Sequence, residues 1–441
     1  MNQDSDDHFP QSHSVGLIGR VRSGIVDYWS HLKLFSRNAR LFLIGSFLMG
    51  INMQVFQVLL NLFLKEIGFL EGDIGYIASA RAIGMTAMAI PAAMIISRFR
   101  LKPFLILGCV AFAVFSYFIV NNDSLPLLIG FSILAGASFS IFRVASGPFF
   151  MRNSTPTERT HLFSFSFGSN LLAGMFGAAF AGRLAATLGE STGSIVEGYQ
   201  ITLIVGIAVS LLALIPYLMI KPSEPSREER RLDISWEKLK TRGGFFLKVF
   251  VTNFTIGAGA GLIIPFLNLY FRDRFNLPPD VIGIYYSVVH LSMFAGSLSG
   301  PVLTKRLGLV RTVVVTQLLS IPFMLTLSYS YVLWLAVAAF VIRGGLMNLG
   351  VPIVTNLCME LSKKEEQGLV GALLMIGWTS SWMITTAVGG RLIESFGYTF
   401  TMNITIATYV LSSILFYGFF RKTERRNQNS PGWAIIRGEM R

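Results

Sequence analysis

Apolar residues in this chain come in long runs separated by short polar breaks. Twelve runs can be marked, at 41–64, 74–97, 103–120, 125–150, 162–189, 199–220, 245–271, 280–304, 312–329, 332–357, 367–391 and 399–420. A helix needs roughly 20 predominantly apolar residues to cross the hydrocarbon core of a bilayer, and each run meets or approaches that length. In lipid each segment has to satisfy its own backbone hydrogen bonds, so the runs are expected as helices; barrel strands would be shorter and alternating. The pattern predicts an all-α membrane protein of twelve transmembrane helices. One long polar break, rich in Pro, Ser and charge from Lys221 to Glu229, divides them six and six.

The two groups of six match each other. Trp29, Leu32 and Lys33 return as Trp236, Leu239 and Lys240, a shift of 207. Asn61, Leu62, Phe63, Lys65 and Glu66 return as Asn268, Leu269, Tyr270, Arg272 and Asp273 at the same shift. After one inserted residue the shift is 208: Ile74-Gly75 matches Ile282-Gly283, and Gly182-Arg183-Leu184 matches Gly390-Arg391-Leu392. Two similar halves in a membrane chain are the mark of a transporter built as a repeat. The expected organisation is a disordered cytoplasmic tail over 1–16 and an N-terminal six-helix bundle over 17–220. A linker at 221–242, a C-terminal bundle over 243–421 and a tail at 422–441 follow. Within 17–36, Ile18, Val21, Ile25, Tyr28, Trp29 and Leu32 recur at helical spacing, which predicts a helix lying in the interface; Ile234, Trp236 and Leu239 repeat the device in the linker.

Composition agrees with a membrane class: 52% hydrophobic, 14% charged, mean hydropathy +0.58. The net charge of +13 changes meaning once it is mapped. Apart from Arg81, Arg143 and Arg343 within the spans, only Lys65, Arg183, Arg272, Arg274 and Arg391 fall at the side away from the linker; the other Lys and Arg lie with the linker and both termini. That bias places both termini in the cytoplasm and makes anionic lipid, not nucleic acid, the expected partner of the basic loops. The first forty residues are mostly polar and carry no cleavable leader pattern, so a multi-pass protein of the cytoplasmic (plasma or inner) membrane is expected. Cys109 and Cys358 fall in or near apolar runs and read as small packing residues.

The loops after the second and eighth runs carry related basic sequences. The first runs from Ala93 to Pro103 with Ser97, Arg98, Arg100 and Lys102; the second has Pro301, Lys305, Arg306, Gly308 and Arg311. With the halved twelve-helix layout, these resemble the loop signature of the major facilitator superfamily, with Arg98, Lys102, Arg306, Gly308 and Arg311 kept and its acid replaced by Ser97 and Lys305. The resemblance spans nearly the whole chain. It implies substrate binding between the halves, alternating access by rocking them, and a cytoplasmic gate near Arg98, Lys102, Arg306 and Arg311, with Arg143 beside it. The fifth run has Gly168, Gly174, Gly177 and Gly182 but lacks the Gly-Pro pair of the superfamily's drug antiporters, so its glycines read as close helix packing.

Little points to catalysis. No nucleotide-binding loop, metal-ligand spacing or nucleophile–base–acid set occurs, so neither an enzyme nor a cofactor is expected. What stands out is charge inside the spans. Arg81, Arg143 and Arg343 each cost roughly 2.5–3.5 kcal/mol on insertion scales and need a cavity or a partner, and no Asp or Glu lies well inside any run. Arg343 is the deepest. A cation excess of this kind suits an anionic solute. His290 is the only histidine inside a run and the candidate for proton coupling. Gln54, Gln57 and Asn61 form one amide stripe, answered by Asn268; Tyr286 shares a face with His290; Trp378 and Trp382 lie one turn apart.

The substrate-binding set expected is therefore Arg343, Arg81, Gln57, Asn61, Asn268, Tyr286, Trp378 and Trp382, with His290 for coupling. The function expected is secondary transport of a small organic solute, an anion by preference, by a monomer, with protons as a candidate co-substrate. A proton-driven exporter of lipophilic drugs, or a receptor on the same scaffold, are the alternatives; the first wants a buried carboxylate and the second a larger soluble domain.

Overall fold

The computed structural model describes residues 35–221, 242–363 and 366–427. In the N-terminal half, α1 is Arg37–Glu66, α2 Glu71–Arg98, α3 Leu101–Val120, α4 Leu125–Asn153, α5 Pro156–Thr192 and α6 Ile195–Leu212, prolonged by a short helix Leu214–Met219. In the C-terminal half, α7 is Gly243–Ile263, continued beyond a 3₁₀ turn at Ile264–Phe266 by Leu267–Phe275. Then come α8 Pro279–Leu307, α9 Leu309–Tyr329 and α10 Leu333–Glu360. The last two helices, α11 and α12, are the arms of one run, Gln367–Asn427, parted at Gly397. There the backbone takes φ 79° and ψ 175°, a conformation open in practice only to glycine, so the chain reverses with no loop at all.

Several helices outrun the apolar stretches that predict them. α5 begins at Pro156, six residues before its apolar run, and α12 continues to Asn427. Once a helix is nucleated in the membrane, each further residue adds a hydrogen bond, and polar ends are stable in the interface. The 3₁₀ turn in α7 is the opposite case: Pro265 has no N–H to continue the ladder, and the helix tightens around it. The expected interfacial helix falls mostly on residues 17–34, the linker anchors on 222–241 and most of the tail on 428–441; these lie outside the described residues.

The helices are fastened within each half at the linker end. Ser36 caps α1, accepting from the Ala39 N–H at 3.1 Å while its hydroxyl donates to the Asn153 carbonyl at 2.7 Å. Lys102 donates to the Leu218 carbonyl at 2.6 Å, and Arg152 to that of Ile96 at 2.9 Å. Thus Lys102, expected at a gate, closes the C-terminal end of the α6 extension. In the other half Arg242 pairs with Glu366 at 2.5 Å. Arg98, Arg306 and Arg311 are exposed at this end. Phe42 stacks on Phe149 at 4.4 Å in the core of the N-terminal half. Cys109 is buried there, its thiol donating to the Ser210 carbonyl at 3.3 Å.

The halves meet along two seams, α2 against α11 and α5 against α8. Each seam is a backbone-to-backbone contact through glycine. A Cβ added at Gly75 would lie 3.1 Å from the Gly390 Cα, and one added at Gly182 would lie 3.0 Å from the Gly283 Cα. These contacts are equivalents: Gly75 and Gly283 are related by the shift of 208, as are Gly182 and Gly390. Small residues at such crossings let helices approach closely enough for dispersion to hold them in lipid. Among the described residues, the side-chain hydrogen bonds that cross between the halves cluster at the end bearing Glu66, from Glu66–Arg272 to Ser79–Met383.

Candidate functional site

The repeat sets a common depth in both halves. In the N-terminal half α2 crosses α4 where Gly136 faces the backbone of Arg81 and Gly84 faces that of Ile133. In the C-terminal half α8 crosses α10 where Gly344 faces Val289 and Gly345 faces Ser292. Val289 is the equivalent of Arg81, and Gly344 that of Gly136. Arg81, His290 and Arg343 therefore sit at one level of the bundle, immediately below the last bond of the α2–α11 seam, in which the Ser79 hydroxyl donates to the Met383 carbonyl.

At that level the three ionisable groups have different surroundings. Arg81 is half-buried, with its guanidinium 6.0 Å from the centre of the Phe56 ring. Arg143 follows Gly136 by seven residues on the same face of α4, about 10 Å nearer the linker end at the rise of a helix. Its side chain is exposed. No hydrogen bond or ion pair to another described residue holds either guanidinium, and the described Asp and Glu lie in turns or near helix ends.

Arg343 has a partner inside its own half. It is 4% exposed; Nη2 donates to the Tyr409 hydroxyl on α12 at 2.6 Å, and the guanidinium lies 5.5 Å from that ring's centre. Its Nε is buried without an acceptor. The deepest arginine thus points between α10 and α12, under α7, where Gly259 gives the Tyr409 ring room. A charge taken from lipid into that interior is held by a hydroxyl and a ring face, with no carboxylate.

His290 is in the α5–α8 seam. Nδ1 donates to the Tyr286 carbonyl at 2.8 Å, and the ring lies where a Cβ on Gly174 would stand. With the proton on Nδ1, Nε2 is the free acceptor and faces α5. Tyr286 is buried against Phe340, ring centres 5.3 Å apart.

The amide stripe of α1 divides three ways. Gln54 is buried over Gly177 of α5 with Nε2 unsatisfied, Gln57 is exposed, and Asn61 crosses to the other half. Asn61 Nδ2 donates to the Pro265 carbonyl at 2.6 Å; Asn268 Nδ2 donates to the Val58 carbonyl at 2.8 Å. Both amides expected in a substrate cavity are spent on joining the halves. Around them Arg272 pairs with Glu66, Glu394 accepts from the Gly72 N–H at 3.1 Å, and Arg391 donates to the Tyr76 hydroxyl at 3.3 Å.

Trp378 and Trp382 are half-buried on α11, ring centres 5.8 Å apart. The Trp378 ring lies over Gly257 of α7, and the backbone of Trp382 passes Gly261. Ile384 and Val388 of α11 are about half exposed, and Val388 does so at the depth of the closed Gly75–Gly390 contact, so that face meets lipid. Trp382 and Thr386, each two residues earlier, project from nearly the opposite side, toward the space between the halves. The Trp382 Nε1–H is buried without an acceptor, which costs about 1–3 kcal/mol unless something meets it. Among the described residues no three His, Cys, Asp or Glu side chains converge to hold a metal.

Of the residues expected at the site, Arg81, Gln57 and the two tryptophans keep accessible surface, as does Arg143 about 10 Å nearer the linker end, while Asn61, Asn268 and Arg343 are engaged in contacts within the protein. Tyr409 and Ser79 gave no sign of their roles in the sequence: one is one of two tyrosines in an apolar run, with Tyr417, and the other one of many small polar residues.

Solved structures share this architecture. A point mutant of the nucleoside transporter NupG superposes with a TM-score of 0.72 at 12% identity, covering 87% of this chain and 100% of that one. A bacterial homologue of the human lysosomal transporter Spinster, inward-facing and unoccupied, gives 0.74 at 14%, covering 89% and 98%. A D-xylose–proton symporter gives 0.70 at 14%, covering 87% and 97%. No curated protein sequence matches the chain. The Major Facilitator Superfamily family model matches residues 42–253 and again 249–437, once per half. Twelve membrane-length helices among the described residues, in two related bundles, and a double match covering nearly every residue from α1 onward make this chain a member of the Major Facilitator Superfamily, a secondary transporter.

Proposed function

We propose that the transported solute is a small organic anion, carried across the cytoplasmic membrane by alternating access. The observation that carries this reading is the pair Arg81 and Arg143: two guanidinium groups inside the spans that keep accessible surface, have no acidic partner among the described residues, and lie about two helical turns apart in depth on neighbouring helices. Burying a cation is tolerable when a counter-charge arrives, and here the solute itself would supply it. Placing both termini in the cytoplasm, as the loop charges favour, makes the Glu66 end extracellular. The seams closed at that end then correspond to an inward-facing state.

His290 is the proposed proton site, since its Nε2 is the titratable acceptor at the depth of Arg81. The test of the anion reading is solute-induced thermal stabilisation of the purified protein, followed by uptake into proteoliposomes, using benzoate, gluconate and glycerol phosphate against choline and tetraphenylphosphonium. Stabilisation by anions, lost in Arg81→Gln, is expected; stabilisation by the cations alone overturns it. For coupling, His290→Gln should flatten the pH dependence of transport, and an unchanged profile removes His290 from that role.

A further inference from the structure

The two walls at the Arg81 level are chemically unlike, and the repeat makes the difference exact to the residue. Helices α5 and α11 are equivalents, and each packs on the first helix of its half at matching glycines: Gly50 faces Ala173 and Asn170, while Gly257 faces Ser381 and Trp378. At the positions where α5 has Asn170 and Gly174, α11 has Trp378 and Trp382. On the facing helices the exchange runs the other way. α2 carries Arg81 where α8 carries Val289. One half therefore offers a cation and amides, and the other offers indoles.

The Ser79–Met383 bond fixes how these meet. Arg81 lies two residues below Ser79 on α2, and Trp382 one residue below Met383 on α11, where the two antiparallel helices begin to part. The charge and the indole thus bracket the roof of the cavity from opposite halves.

We infer that the solute is an acid carrying a flat ring: its carboxylate or other acidic group meets Arg81, and its ring lies against the Trp378–Trp382 pair. This rests on the anion reading and narrows it. A ring face on an indole gains contact area at little entropic cost, and the guanidinium supplies the charge-assisted bonds. Binding both walls at once also pulls the halves together at the cavity roof, so the ring and the acid have to be on one molecule.

Thermal stabilisation and proteoliposome uptake with four matched probes decide this. Indole-3-acetate and benzoate carry acid and ring, hexanoate carries the acid alone, and benzamide carries the ring alone. The aromatic acids are expected to stabilise the protein and to bind at least tenfold more tightly than hexanoate, with benzamide inactive. Trp382→Leu should erase the advantage of the aromatic acids over hexanoate, while Trp382→Phe, which keeps a ring and loses the N–H, should keep part of it. If hexanoate binds as well as benzoate, and Trp382→Leu changes neither, the ring site is overturned while the anion reading stands. If none of the acids binds and benzamide does, the anion reading itself falls. Unaltered helical content and membrane insertion of Trp382→Leu separate loss of the site from loss of the fold.

Discussion

Asn61 and Asn268 exchange the same bond. Each amide donates to a backbone carbonyl of the other half, Pro265 and Val58, and those acceptors are themselves equivalents under the shift of 207. The contact is a reciprocal clasp across the molecular pseudo-axis. Its bonds exist only while the Glu66 end is closed. Asn61→Ala and Asn268→Ala should therefore shift the balance toward the state open at that end. A hydrogen bond is worth about 0.5–1.5 kcal/mol net, so each variant is expected to move the equilibrium about twofold to tenfold. Distances between spin labels on the α1–α2 and α7–α8 turns read the shift; unchanged distance distributions in the double variant would refute the clasp.

Gly174 should not accept a larger residue while His290 is present. The added Cβ meets the imidazole, and overpacking of this kind costs about 1–3 kcal/mol. Gly174→Ala is expected to weaken the closed state and slow transport with insertion intact. The double variant Gly174→Ala/His290→Ala should regain the closed state, as read by the same label distances; lack of recovery would mean the crowding lies elsewhere.

Arg343 and Tyr409 should behave as a unit of stability. Tyr409→Phe leaves a buried guanidinium without its one acceptor, at a cost of about 1.5–3 kcal/mol, whereas Arg343→Met/Tyr409→Phe removes both partners and should recover much of the loss. Thermal unfolding in detergent measures this, and binding of anions is expected to persist in the double variant. Loss of anion binding with stability retained would return Arg343 to the site.

Gly397→Ala should loosen the joint between α11 and α12. Its φ of 79° with ψ of 175° excludes a Cβ in any comfortable form, at about 1–3 kcal/mol. A lowered unfolding temperature with the helix content unchanged is the expected result; an unaltered temperature would mean that the chain reverses equally well without glycine.

The helices and the repeat were legible because both follow from patterns longer than any one contact: runs long enough to cross lipid, and residues recurring at one spacing. Neighbours were less legible. Spacing put Gln54, Gln57 and Asn61 on one face of α1, but one face of a long helix passes α5, the cavity and α7 in turn. Depth alone made Arg343 look like a substrate group. Its partner lies 66 residues away, in a helix where buried Thr401, Thr405 and Ser413 recur at the same four-residue interval, so nothing singles out Tyr409 among them. Arg81 and Trp382 were legible as chemistry, while the bond that sets them at one height, from Ser79, was not.

The paired glycine contacts, Gly75 on Gly390 and Gly182 on Gly283, give the molecule two bearings and hence a fulcrum line. Backbones that touch cannot slide far, but they can roll. From Gly75 to the linker end of α2 at Arg98 is about 35 Å of helix. A roll of about 10° at the bearings would then swing that end by about 6 Å, while Arg81, roughly 9 Å from the line, travels only about 1.5 Å. Leverage of this kind lets the mouth gape or shut around a solute whose charged group scarcely has to move.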